Sequence, residues 1–444
     1  MAEHAALLWV DNSNVTRCRV MPMTRFAQSR GVHLTNAVQS MPSMYDAALD
    51  SPAGDIVMGP DNLTSPLTYD ISAWLPGAVA CFGDMKKHGK VWDSCSRSFL
   101  RRQELHLRTQ FHMRATVGFE LEFQLLKSEN SANVPVDQTL YCEVKALQGG
   151  VSWRVLQEIV ACLQKDLGIN VLQYHPESAS GQFEISIGHE PLDAKSKDLS
   201  LVDAVDQLVL ARQTVRGIAA KHGLHATFVP KLREMEAGSG AHIHLGLRDI
   251  QDECKNAFQT RPEDARAFVA GVLEELPGMM LLLAPSINSY ERLRPSCWAG
   301  AYACYGFENR EAAIRLIGGV GDDGECEFAR ADHFEIKATD ATANPYVAVG
   351  ALLAAGMRGM KDKCKLPEPI AQDPATLPEA DRPALLPQSL SETINAFQMR
   401  APGFWEHVLS ESYCSLLHRL RAAENEHYGA MTREEMVQAL VNRY

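Results

Sequence analysis

Three short stretches of this chain alternate strictly between apolar residues and residues that carry charge or an imidazole, and they limit the fold more than any other feature. In Val117-Gly118-Phe119-Glu120-Leu121-Glu122-Phe123 the aromatic and aliphatic side chains take one side of an extended strand, and Glu120 and Glu122 take the other. Ala241-His242-Ile243-His244-Leu245 repeats the pattern with two imidazoles, and Phe334-Glu335-Ile336-Lys337 repeats it with an acid and an amine. A period of two over a continuous apolar face predicts strands with one face packed and the other free for chemistry.

Two carboxylates on one strand face repel each other unless a cation lies between them. A further pair, Glu177 and Glu184, flanks Ala179-Ser180-Gly181-Gln182, where the glycine permits a tight turn that brings both acids to one place. Each segment alone has a plain structural reading: solvated carboxylates, a packing histidine, a surface ion pair. Together they point to hard divalent cations. Carboxylates with a single imidazole suit Mg2+ or Mn2+ better than zinc, because no cysteine is suitably spaced. Two such ions can clamp a transferring phosphoryl group. Arg292, Arg294, Arg310 and Arg315 form the complementary half, since guanidinium suits both phosphoryl oxygens and an acyl oxyanion. Surface salt bridges are their plain alternative.

The 444 residues are 46% apolar and 22% charged, which suits two or three domains with a large core. The net charge of −12, with no basic cluster, argues against nucleic acid or an anionic membrane as partner. Eleven cysteines without a CxxC pair read as reduced thiols. No signal peptide is evident at the N-terminus, and the apolar stretch Met279 to Ala284 is far too short to span a membrane, so a cytoplasmic protein is expected.

Along the chain, the runs Leu7–Val10, Asp55–Met58 and Ala78–Phe82, broken by Gly, Pro, Asn and Asp, predict a small sheet-rich region before a basic junction at Arg97 to Arg102. Helices are predicted over 152–167, over 200–221 closed by His222-Gly223, from Pro262 to about Leu276, and from Asn344-Pro345 onward. The proline-rich 364–388 stretch reads as an extended connection, and Ser389 with Glu392 as a capping box before a helical C-terminus.

The ordered segments GFELEF, HPESASGQFEI, KHGLHATFVPK, GSGAHIHLGL, NSYERLRP, ENREAAIRL and FEIKATDATANPYVAVGALLAAG resemble the glutamine synthetase superfamily over nearly the whole chain. The resemblance implies an α+β protein: an N-terminal β-grasp domain, residues 1–102, then a catalytic domain, residues 103–444, with a curved antiparallel sheet. It implies a homo-oligomer of stacked rings, a decamer or dodecamer. It assigns Glu122, Glu177 and Glu184 to one metal and Glu120, His242 and Glu335 to a second. His244 falls beside the ATP phosphates, Arg292 on the carboxylate of the acid substrate, Arg310 and Arg315 on transferring phosphate, and Gly238 in the acid pocket. The implied chemistry activates the γ-carboxylate of L-glutamate with ATP and lets an amine displace phosphate.

Several positions depart from ordinary glutamine synthetases. Trp298, in Ser296-Cys297-Trp298-Ala299-Gly300, stands where they carry a glutamate that helps hold ammonium. An indole suits an organic amine or alkylammonium better than ammonium; a packing tryptophan is the plain alternative. Ala237 replaces an asparagine, Lys337 an arginine contacting the acid substrate, and His333 an arginine of the phosphate region. No DGSS-like segment supplies the family's deprotonating aspartate, leaving Asp46, Asp50 and Asp55 as candidates by location. The pattern RPSCWAGAYACYGFENREAAIR resembles the branch typified by the fungal FluG C-terminal domain and γ-glutamylpolyamine synthetases. A glutamate–amine ligase is therefore the leading expectation. An ordinary ammonium-using synthetase and a catalytically silent structural member are the alternatives.

Overall fold

The computed structural model describes residues 2–29, 31–49, 54–60, 67–127, 133–189, 199–252 and 255–444. They divide into two compact units, one built from 1–98, 121–239 and 431–444, the other from 99–120 and 240–430.

In the first unit the N-terminal runs form two small sheets. Strands β1 (His4–Val10), β2 (Thr16–Pro22), β5 (Tyr69–Asp70) and β6 (Ala78–Phe82) stand in the order β2-β1-β6-β5, with β1 and β6 parallel at the centre. β3 (Val32–Thr35), β4 (Asp55–Gly59), β7 (Asp84–Lys87) and β8 (Lys90–Val91) form the other, in that order. Leu7, Trp9, Leu34, Ile56, Met58 and Met85 share one buried cluster, which is why the apolar runs alternate with polar turns. β9 (Met113–Lys127) runs on from one unit into the other. Its C-terminal part pairs with β10 (Val134–Pro135) and with β13 (Leu224–Thr227), and β11 (Val171–Pro176) and β12 (Gln182–Ile187) make an antiparallel hairpin. Helix Leu201–Lys221 starts at a full capping box, Ser200 with Asp203.

In the second unit the N-terminal part of β9 pairs antiparallel with β14 (Ile243–Asp249), to which the short β15 (Lys255–Asn256) is added. β14 pairs with β18 (His333–Ile336), β18 with β17 (Ala312–Ile317), and β17 with β16 (Tyr302–Phe307). The last pair is parallel, so the expected antiparallel sheet is mixed at this edge.

Two helices depart from the sequence reading. The helix expected to stop near Leu276 continues to Leu283 through Pro277. A proline inside a helix costs about 3 kcal/mol. Full burial of Met279, Met280, Leu281, Leu282 and Leu283, at roughly 1.5–3 kcal/mol per side chain, outweighs it. At the helix Leu390–Arg400, Ser389 accepts the Glu392 N–H, but the Glu392 carboxylate takes the N–H of Gln388 rather than of Ser389, so only half of the expected box forms. Asn344 caps the helix Pro345–Asp362 as predicted, accepting the N–H groups of Tyr346 and Val347. This helix packs on Pro262–Leu283 where Gly271 meets Gly359; a Cβ on Gly271 would stand 2.6 Å from the Gly359 Cα. The 364–388 connection is irregular apart from two short 3-10 turns, and Ala303 and Leu386 bond it back along β16. The ten described cysteines are all free thiols.

Candidate active site

The hairpin β11–β12 places His175 opposite Glu184. Its turn depends on Gly181, whose φ is +68° and whose Cβ, if present, would lie 2.8 Å from the carbonyl oxygen of Leu125. Leu125 N–H donates back to the Gly181 carbonyl at 2.8 Å, so the turn is stitched to β9. As a result His175, Glu177 and Glu184 offer ligand atoms that all lie within 4.8 Å of one another. Glu122 joins them through Gln182. The Gln182 amide donates to Glu122 Oε2 (3.1 Å), to the Gly238 carbonyl (3.0 Å) and to Ser239 Oγ (3.1 Å), while its oxygen accepts the Ala179 N–H (2.9 Å).

Burial, reinforced by the charges of Glu122 and Glu184, pushes the Glu177 carboxyl up to about 7. The Glu184 carboxylate, 3.7 Å from its Nε2, raises His175 to about 9, against the opposing effect of burial. Three crowded acids with an imidazole beside them match the donor chemistry of a hard divalent ion. The sequence reading missed His175. Its signal was present, because His175 and Glu177 repeat the two-apart pattern of the other site strands.

The second cluster lies wholly in the second unit. Glu120 accepts from His242 Nδ1 at 2.7 Å through one oxygen and meets His244 Nε2 at 3.0 Å through the other. His242 precedes β14 rather than lying in it, and its carbonyl takes the Glu120 N–H. Strand register sets His244 and Arg315 each opposite Glu335. Glu335, 1% exposed, has Lys337 Nζ at 3.2 Å, Arg315 Nη1 at 3.2 Å and His242 Nδ1 at 3.3 Å. Burial opposes ionisation of Glu120, yet hydrogen bonds from His242 and His244 outweigh it and hold the carboxyl far below its ordinary range. Glu335 is also held low, with Lys337 and His242 overcoming its burial. Glu120, His244 and Glu335 offer ligand atoms within 4.8 Å of one another. His333 stands 2.9 Å from His244 and 3.0 Å from Asp332.

The remaining predicted residues divide by environment. Arg292 is buried, and its Nη2 donates to the carbonyls of Lys337 (3.1 Å) and Thr339 (2.8 Å). Arg315 is shared between Glu335 and Glu308. Arg294 and Arg310 are exposed. Trp298 is exposed by 61%, and its backbone N–H donates to Glu311 at 2.9 Å. Asp46 pairs with Arg17 at 3.2 Å, Asp55 opens β4 at the surface, and Asp50 lies outside the described residues.

Each unit therefore holds its own cluster of carboxylates and imidazoles, the second with an arginine and a lysine against its buried acid. Residues 93–439 match the glutamine synthetase catalytic domain, and the chain belongs to that family of ATP-dependent, divalent-metal-using ligases. Among individual relatives, it is 31% identical to the γ-glutamylpolyamine synthetase GlnA3 of Streptomyces coelicolor over 88% of this chain and 83% of that one. It is 28% identical to the protein fluG of Emericella nidulans, over 98% of this chain and 48% of the longer fluG. The type-1 glutamine synthetase 1 of Dictyostelium discoideum is 28% identical over 82% of this chain and 75% of its own length. The fold superposes on a crystal structure titled novel glutamine synthase homolog with a TM-score of 0.81 at 22% identity, covering 100% of this chain and 99% of that one. It superposes on GmaS in complex with ADP at 0.80 and 22% identity, covering 99% and 97%. Among the described residues no helix is long and apolar enough to cross a membrane.

Proposed function

We propose that this ligase joins the γ-carboxylate of L-glutamate to an organic amine through a γ-glutamyl phosphate. What supports the reading is Trp298: an indole exposed at the surface stands in the Ser296–Gly300 segment, which by its resemblance takes the place of the segment carrying the ammonium-holding glutamate of ordinary synthetases. A strongly hydrated ammonium ion gains little from an indole, whereas an alkyl or alkylammonium group gains contact area and cation–π attraction. The similarity to a γ-glutamylpolyamine synthetase supports the same reading.

In the first step a γ-carboxylate oxygen attacks the γ-phosphorus of ATP, the bond to the bridging oxygen breaks, and ADP departs. In the second, the amine nitrogen attacks the acyl carbon, the carbon–oxygen bond to phosphate breaks, and the nitrogen loses a proton. Glu122, Glu177 and Glu184 would hold one Mg2+ or Mn2+ and Glu120, His242 and Glu335 another, with His175 an additional donor at the first. Bound there, the ions offset the charge of the phosphoryl oxygens. Arg310 and Arg315 steady the transferring phosphoryl group, His244 the phosphates of ATP, and Arg292, Lys337 and Gly238 the glutamate. We assign residues 1–102 to the small domain, 103–444 to the catalytic domain, and the active enzyme to a cytoplasmic assembly of stacked rings. Phosphate release from ATP with L-glutamate and a panel of amines tests the reading. An organic amine must outperform ammonium.

A further inference from the structure

The loop that carries Trp298 is held in a conformation its residues do not favour alone. Ser296 (φ +56°), Trp298 (φ +53°) and Gly300 (φ +72°) are all left-handed. Residues with a Cβ enter that region at a cost, and they stay there where surrounding contacts over-determine them. Two carboxylates supply those contacts. Asp373 accepts the Ser296 hydroxyl at 2.7 Å, and Glu311, 8% exposed, accepts the Trp298 N–H at 2.9 Å. Glu311 is itself fixed, because its N–H donates to Asn309, whose amide donates to the carbonyls of Ile370 and Gln372. Gly300 seats the loop's end on the site strands: a Cβ there would lie 2.8 Å from Ala313 Cα and 3.1 Å from the Cβ of Lys337.

We propose that Glu311 is a positioning residue that sets amine selectivity by clasping the backbone of Trp298, so that the indole stands out where the incoming amine is received. This rests on the reading of Trp298 as the amine-facing residue. The carboxylate touches no reacting atom. It acts through the tryptophan, and an aromatic side chain on an unclasped loop would present no fixed surface to an alkyl chain.

The test compares Glu311→Ala, Glu311→Asp, Glu311→Gln, Trp298→Ala and the Glu311→Ala/Trp298→Ala double variant, with KM measured separately for the preferred amine, L-glutamate and ATP. Glu311→Ala is expected to raise the amine KM about tenfold, while KM for glutamate and ATP stays within about twofold. Glu311→Gln, which keeps an acceptor oxygen, restores most of the amine affinity. In the Trp298→Ala background the Glu311 change adds nothing, since the two residues act as one unit. If Glu311→Ala does not fold, Glu311→Asp withdraws the oxygen by one methylene and must raise the amine KM in the same sense. An unchanged amine KM, an equal rise in all three KM values, or effects of Glu311 and Trp298 that multiply independently would overturn the proposal. A Trp298→Ala effect without a Glu311 effect sinks this inference alone. A wild-type enzyme that turns over no organic amine sinks the proposed function beneath it.

Discussion

Lys337 Nζ lies 3.2 Å from Glu335 Oε1, and neither residue is more than 3% exposed. The other Glu335 oxygen is 3.2 Å from Arg315. An exposed pair of this kind contributes little, but removing one partner of a buried group strips its acid of compensating charge, here leaving Glu335 with Arg315 and His242. Lys337→Met is therefore expected to destabilise the metal-free protein by about 3 kcal/mol in urea unfolding. Added Mn2+ should narrow the gap, because a cation near Glu335 replaces the lost ammonium. An unfolding midpoint equal to wild type without metal would show that this pair does not hold the strand end.

The two donor clusters predict two separable ions per chain. Calorimetric or EPR titration with Mn2+ is expected to show two binding events in the wild type. Glu184→Gln should remove one and Glu335→Gln the other, each leaving the second within about threefold in affinity. A single event in the wild type, or the loss of both from either variant, contradicts the assignment.

Gly181 turns the hairpin that brings Glu177 to Glu184, and an added methyl would meet the Leu125 carbonyl at 2.8 Å in a left-handed backbone. Gly181→Ala is expected to cost about 1–3 kcal/mol of stability. It should also weaken the Mn2+ event assigned to Glu184 while sparing the other. Equal weakening of both events would count against the turn as the specific support of this cluster.

The N-terminal region carries a pH-dependent element of its own. Burial raises Asp11 to about 6, although Arg17 and the N–H groups of Ser13 and Val15 favour its charge. In the unfolded chain this carboxyl titrates near its ordinary value of about 3.9. Between those two values the folded protein keeps a proton that the unfolded chain has released. Asp11 therefore favours folding below about pH 4 and loses that contribution as the pH rises through about 6. Urea midpoints across this range should fall less steeply for Asp11→Asn than for wild type. Parallel curves would place the slope elsewhere.

Much of the candidate site is legible in the sequence because Glu120, Glu122 and Glu335 lie in strands whose period of two sets them opposite apolar neighbours, with Lys337 directly after the last strand. The cap at Asn344 and the turn at Gly181 were readable from equally local signals. What could not be read depended on distant partners. Pro277 argued for a helix end, and only the burial of Met279 to Leu283 overrules it. The parallel pairing of β16 and β17 has no local signal. His175 is one alternation in an exposed-looking strand until Glu184 is folded against it. Glu311 looked like an ordinary member of the ENREA segment, because its partner is a backbone N–H of another loop.

The central claim is that this chain ligates glutamate to an organic amine, and phosphate release measures it most directly. Purified enzyme with ATP, Mg2+ and L-glutamate is offered ammonium, monoamines, diamines and polyamines in parallel, with Glu335→Ala as control. The account predicts turnover with at least one organic amine at a kcat/KM about a hundredfold or more above that for ammonium, dependent on glutamate and abolished in the control. Turnover with ammonium alone, or with every amine in proportion to its basicity, would contradict it.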